Sequence, residues 1–297
     1  MMTLIQHMQC PLTGERLQSN SSGTELISAS GHRYPLKLGV WQLLLREQRD
    51  PSSTSYREHY EIDAEVFDYY STSTNRASLH ESRRLQETIT RQIPKNARRI
   101  LDTGCGNAWL AGHCIEKRPG VEICSMDIST ANTRKARQKL DHANHLVVQC
   151  DAQAIPFADN TFDVVVASEV LEHVENVPSF LLELYRVTTP GGKLILTTPY
   201  NEVIQYSLCI HCNQKTPLHA HLHSVNEKFI RDNLHLAGLD EIPHTKPFLN
   251  KGLVLLKTHV LLRHLPYPLW DITDRLANRL LGHQSRLLVV LEKNKAE

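Results

Sequence analysis

The run Ile-Leu-Asp-Thr-Gly-Cys-Gly-Asn-Ala-Trp-Leu at positions 100–110 constrains the fold of this chain more than any other stretch. It starts as an apolar strand, breaks at Asp102, turns through Gly104 and Gly106, and runs into a helix-forming segment. Glycines at such a turn let the backbone reverse tightly and let a ligand approach with no Cβ in the way. The same turn also serves as a plain strand–helix connection, so its meaning depends on the elements C-terminal to it.

Those elements alternate. Strands are predicted at 100–103, 121–126, 146–150, 162–167 and 193–198, with a Pro-Gly-Gly turn at 190–192 before the fifth. Helices are predicted at 108–118, 130–140 and 177–187. Near-continuous apolar strands separated by amphipathic helices predict a parallel sheet covered on both faces. A further helix at 224–236, capped by Ser224 with Glu227 three residues on, precedes a sixth strand at 239–247. The last strand falls at 284–292. The expected fold class is α/β: a doubly wound, Rossmann-like sheet, mostly parallel, plus a small N-terminal β-hairpin module.

Asp102, Asp127 and Asp151 close three successive strands, so all three carboxylates fall on one edge of the sheet, where such folds bind ligands. Asp127 is placed to accept from two vicinal ribose hydroxyls, and its charge disfavours a phosphate there. Asp151 can accept from the exocyclic amine of a base. Each could instead cap the helix next in the chain.

These segments, with Met126–Ser129, Cys150–Ala152, Phe162–Val166, Ser168–Val174 (Ser-Glu-Val-Leu-Glu-His-Val) and Arg186–Leu194, resemble the class I S-adenosylmethionine-dependent methyltransferases of the ubiquinone- and biotin-pathway group. The resemblance covers residues 56–238 and the last strand, and implies a seven-stranded sheet whose last strand is antiparallel. It implies that Asp102 with Gly104, Cys105 and Gly106 holds the methionine end of the cofactor. Asp127 would bind the ribose, Ile128 would lie against the adenine, and Asp151 and Ala152 would hold its edge. Ser168 and Glu169 would border the sulfonium. Ala108 departs from the family, which commonly has a third glycine there. A dehydrogenase would need the Gly-x-Gly-x-x-Gly form and a helix end aimed at a pyrophosphate.

Methyl transfer from a sulfonium is an in-line displacement in which the protein mainly positions the reactants. If the acceptor is a hydroxyl, a base is needed. His173 is the first candidate and Glu172 the second, the alternative for His173 being a packed helix-start residue. Cys209 and Cys212 form a Cys-x-x-Cys pair with histidines a few residues on, a spacing that suits zinc; Cys209, Cys212 and His221 are the expected ligands of a structural zinc, against a plain His-rich loop with two thiols.

Three domains are expected: a β module at 1–45, a linker with cover helices at 46–98, and the cofactor-binding domain at 99–297, with insertions at 202–223 and 248–283. The β module resembles a zinc ribbon that has lost its knuckle, since Thr13 stands where a second cysteine would come after Cys10, and one thiolate cannot hold a tetrahedral zinc. In the cover helices, Tyr69 or Tyr70 is a candidate to line the site. The apolar 248–283 insertion suits a lid, an oligomer surface, a membrane-surface helix or packing on its own domain.

A formal net charge of +1 over 297 residues speaks against general nucleic-acid binding. Seven scattered cysteines suit reduced thiols of a cytoplasmic protein, and no apolar run is long enough to span a bilayer. The expected function is S-adenosylmethionine-dependent methylation of a small or lipid-like acceptor, at oxygen, with peripheral membrane contact open and oligomeric state unspecified. The alternatives are a non-catalytic cofactor-binding partner subunit and an RNA or protein methyltransferase.

Overall fold

The structure is a computed structural model that describes residues 3–44, 56–66, 75–210 and 213–295. Tyr69 and Tyr70 lie outside the described residues, as does Cys212. Four short strands come first: β1 Gln18–Ser19, β2 Glu25–Ile27, β3 Arg33–Lys37 and β4 Val40–Gln42. Helices α1 Tyr56–Val66 and α2 Arg76–Gln92 come next. The central run is β5 Arg99–Thr103, α3 Trp109–Lys117, β6 Glu122–Asp127, α4 Thr130–Lys139, β7 His145–Gln149, β8 Phe162–Ser168, α5 Val177–Val187 and β9 Thr188–Pro199. The C-terminal part contains β10 Tyr206–Leu208, β11 Lys215–Pro217, α6 Glu227–Leu236, β12 His244–Asn250, α7 Lys251–Leu255, α8 His259–Leu262, α9 Tyr267–Leu281 and β13 Gln284–Glu292.

The main sheet runs β1-β2-β3-β4-β7-β6-β5-β8-β9-β13-β12. From β7 to β9 neighbouring strands are parallel, and β13 enters antiparallel to both β9 and β12. The expected seven strands are therefore corrected to eleven. β4 pairs parallel with β7 through Trp41↔Val148 and Gln42↔Gln149, so the N-terminal strands continue the sheet instead of packing on it. Cys10 is buried in the core, its Sγ 3.0 Å from the Tyr34 hydroxyl. The central strands bury side chains on both faces, with Ile100, Leu101, Val164 and Val165 all at 0% exposure, as a sheet covered by helices requires.

Three other expectations change. The Pro-Gly-Gly turn at 190–192 is part of β9, with an irregularity opposite Phe162/Val164. A Cβ on Gly192 would stand 2.8 Å from the Asp163 carbonyl oxygen, so only glycine lets the strand pass there. The cap of α6 is Asn226, whose side chain accepts from the Phe229 amide at 2.9 Å, and not Ser224. The sixth strand starts at His244, after Pro243, which has no amide to donate.

The 248–283 insertion packs on its own domain. Trp270 of α9 is 1% exposed, and Arg84 of α2, fully buried, lies 5.0 Å over its ring. The Arg84 guanidinium also donates to the Leu262 and Leu265 carbonyls at 2.7 and 2.9 Å. The outer side of α9 leaves Leu269, Ile272, Leu276 and Leu280 exposed. Among the described residues no helix is long and apolar enough to cross a membrane.

Candidate active site

A cavity of about 890 Å³ opens at the carboxyl ends of β5, β6, β7 and β8. Gly104, Gly106, Asp127, Ile128, Asp151 and Ala152 form one side of its wall. Glu169, Glu172, His173 and His221 form part of the other. Asp102, Cys105 and Ser168 are not on this wall. Asp102 and Cys105 lie behind it, buried, and the Ser168 hydroxyl pairs with that of Thr197 at 3.0 Å.

The glycine turn is tied to the neighbouring strands. The Cys105 amide donates to the Met126 carbonyl at 2.9 Å, and the Gly106 amide donates to Asp127 Oδ2 at 3.1 Å. Gly104 has φ +68°, which favours glycine. Ala108 shares that region at φ +54°, where the missing third glycine would have been unstrained. Asp127 Oδ1 accepts from the Ser129 amide at 3.0 Å, while Ser129 itself caps α4. The acid thus faces the cavity and also braces the turn after its strand. Asp151 likewise accepts from the Gln153 amide at 2.9 Å.

Three buried polar atoms of the turn, Asp102 Oδ2, Thr103 Oγ1 and Asn107 Oδ1, have no hydrogen-bond partner within the protein. Burial, then repulsion from Asp127, pushes the Asp102 carboxyl up to about 8. Burial also raises the Asp127 carboxyl, against the amides that bond to it. The glycine cradle, with the Asp127 carboxylate on the wall beside it, fits a ligand that brings its own donors, such as a ribose diol.

On the opposite wall, Glu169 holds φ +56°, strained for a side-chain-bearing residue, with its amide donating to the Thr197 carbonyl at 2.8 Å. Its Oε2 pairs with Arg286 Nε at 2.5 Å, and Oε1 has no partner. Glu172 is 1% exposed, and burial together with the Glu169 charge pushes its carboxyl well up. Burial, then the neighbouring His221, lowers His173 to about 4, so its imidazole is neutral at neutral pH. The His173 and His221 rings stand 4.9 Å apart, and the His173 and Tyr60 rings 5.6 Å.

Of the expected zinc set of Cys209, Cys212 and His221, Cys209 and His221 are among the described residues. Cys212 lies outside them. Cys209 sits at the tip of the β10–β11 hairpin, its amide donating to the Gln214 carbonyl at 3.0 Å. His221 pairs through Nδ1 with Glu202 and groups with Glu172 and His173. Tyr200 lines the cavity, whereas Trp270 is buried beside Arg84. Sequence reasoning missed Tyr60, Glu202 and Arg286 on the wall; no motif marks them, since they come from a cover helix, a loop and the last strand.

A doubly wound sheet, a glycine turn braced by an acid on the next strand, and a cavity over their carboxyl ends form a nucleotide-type ligand site. Residues 101–196, about a third of the chain, match the family described as methyltransferase domain. A ubiquinone/menaquinone biosynthesis C-methyltransferase of Dinoroseobacter shibae is 35% identical over 109 residues, 35% of this chain and 43% of that protein. The chloroplastic tocopherol O-methyltransferase of Arabidopsis thaliana is 32% identical over 124 residues, 40% of this chain and 35% of that protein. The chain thus spans less than half the length of these curated relatives. A solved S-adenosylmethionine-dependent methyltransferase from Mesorhizobium loti shares the fold, with a TM-score of 0.51 at 15% identity over 72% of this chain and 100% of its own.

Proposed function

We propose that the protein transfers a methyl group from S-adenosylmethionine to an oxygen of a small or lipid-like acceptor. The observation that carries this reading is the Gly104–Gly106 cradle, with Asp127 bonded to the Gly106 amide, opening onto the 890 Å³ cavity. In it, the Gly104–Cys105–Gly106 backbone, backed by the buried Asp102, holds the methionine end, Asp127 the ribose diol, and Ile128, Asp151 and Ala152 the adenine. Ser168 and Glu169 border the sulfonium. The cofactor supplies the methyl and the leaving group; the protein aligns the acceptor.

His173 faces the acceptor side of the cavity, with Glu172 beside it, and takes the proton of an acceptor hydroxyl. The names of the two curated relatives, one a quinone-pathway C-methyltransferase and one a tocopherol O-methyltransferase, support an apolar acceptor here. The exposed leucines of α9 support a peripheral contact with the membrane that would hold such a compound. The domain division at 1–45, 46–98 and 99–297 and a cytoplasmic location belong to the same reading, the latter supported by the buried thiols Cys105, Cys114, Cys124 and Cys150.

Calorimetry with S-adenosylhomocysteine tests the cofactor site. Binding is expected in the wild type, lost in Asp102→Ala and weakened at least tenfold in Asp127→Ala. No binding by the wild type would reject the reading. Incubation with radiolabelled S-adenosylmethionine and a lipid extract should then yield an organic-soluble methylated product.

A further inference from the structure

The acceptor side of the cavity holds a second arrangement that the cofactor does not use. One ligand-type atom each of Glu172, His173 and His221 lie within 4.8 Å of one another. Each of the three side chains is held from behind, with its second polar atom taken. His173 Nδ1 faces the Ala220 carbonyl at 3.3 Å. His221 Nδ1 pairs with the Glu202 carboxylate. Glu172 Oε2 accepts from the Thr198 hydroxyl at 3.0 Å. Both imidazoles are therefore left with Nε2, and the carboxylate with Oε1, to face a common ligand. Histidines bonded at the rear by a carbonyl or a carboxylate are the usual outer shell of a metal centre.

The backbone fixes the three pieces to one another. The Leu222 amide donates to the Glu172 carbonyl at 2.7 Å, and His223 Nε2 bonds the Val174 carbonyl at 2.8 Å. The loop carrying His221 is thus pinned just beyond that residue to the segment carrying Glu172 and His173. The local charge is also unbalanced. Glu169 and Glu202 face the cluster along with Glu172, and Arg286 is the permanent cation that acts on it. Arg286 is already paired with Glu169.

We propose that Glu172, His173 and His221 bind a divalent first-row transition-metal cation that keeps open positions for an oxygen of the methyl acceptor. Two imidazoles and a carboxylate suit Mn²⁺, Fe²⁺ or Zn²⁺ and leave part of the coordination shell free. Around a cation at about 2.1 Å, ligand atoms stand about 3.0–3.4 Å apart, so the side chains draw in by about an ångström on binding. The inference rests on the methyl-transfer reading for its chemistry, though not for its site. Bound to the cation, an acceptor hydroxyl loses its proton to water more readily. The resulting oxygen lone pair forms the new O–C bond with the sulfonium methyl, and the C–S bond breaks with its electron pair passing to sulfur. The cation's oxidation state does not change, and His173 then serves as a ligand instead of a base.

Titration of the full chain with Mn²⁺, read by calorimetry and by the loss of the free-ion paramagnetic resonance signal, tests the site. Mn²⁺ suits nitrogen and oxygen donors and discriminates against a thiolate pair, so Cys209 is not the reporter. One Mn²⁺ per chain is expected, with affinity at least tenfold weaker in both Glu172→Gln and His221→Asn and unchanged in Cys209→Ser. S-adenosylhomocysteine binding is measured on the same samples. A variant that keeps it is folded, and a wild type that lacks it refutes the methyltransferase reading and not the cation site. No Mn²⁺ uptake by the wild type, or undiminished uptake by either folded variant, overturns the proposal.

Discussion

A Cβ placed on Gly104 would stand 2.4 Å from Val170 Cγ2. The glycine turn is thus packed directly against the Glu169–His173 segment on the opposite wall of the cavity, with no room for a methyl group between them.

Gly104→Ala should therefore fail twice, by steric overlap and by its left-handed φ of +68°. A destabilisation of about 2–4 kcal/mol is expected, the sum of overpacking and left-handed strain. S-adenosylhomocysteine affinity should fall at least tenfold. Adding Val170→Ala removes the overlap and not the strain, so the double variant should recover part of the stability in chemical denaturation. No recovery would show that backbone strain alone matters at this turn.

Arg84 is the fully buried clamp between α2 and the 248–283 insertion, bonded to Glu87 at 2.7 Å and to two carbonyls of the insertion. Arg84→Ala leaves those carbonyls without donors and empties the space over Trp270, at a cost of about 3 kcal/mol in urea unfolding. Arg84→Lys should recover little, because one ammonium cannot reproduce the planar fork. A cost below about 1 kcal/mol for Arg84→Ala would mean that the insertion is held elsewhere.

His80 lies beside Trp270, and burial, with the Arg84 charge second, lowers it to about 4. The unfolded chain protonates this imidazole near 6.5 and the folded chain resists doing so. Its contribution is full above 6.5 and is lost as pH falls through 4, a drop of roughly 2–3 kcal/mol. Melting temperatures measured from pH 7 down to pH 4 should fall less steeply in His80→Leu than in the wild type.

Asp102 has the opposite sign. With its carboxyl raised to about 8, its contribution in the cofactor-free protein is full below the ordinary carboxylate range and is lost as pH rises through 8. Asp102→Asn should thus melt higher than the wild type at pH 8 while binding no S-adenosylhomocysteine. An unchanged melting temperature at pH 8 would place the carboxyl in a better solvated setting.

Much of the site was legible in the chain. Asp102, Asp127 and Asp151 end apolar strands, and strand ends in a parallel sheet share an edge, so their convergence comes from periodicity and topology. Asp102 shows the limit of that argument: two residues before a glycine turn put it behind the wall, not on it. Non-local pairing was not legible. Nothing local to Val40–Gln42 states that its partner is β7, and nothing in Pro190-Gly191-Gly192 states that the strand passes through. His221 carries the same lesson, because the Leu222 amide bond that draws it to Glu172 has no mark in the local sequence.

The pairing of β4 with β7 has a consequence for biosynthesis. Gln42 meets Gln149, a partner made more than a hundred residues later. At about 5–20 residues per second, the finished N-terminal strands wait roughly 5–20 s on the ribosome for the edge that receives them. During that interval β4 presents an unpaired edge to whatever is nearby, so slowed synthesis between the two segments should raise the share of chains lost to aggregation.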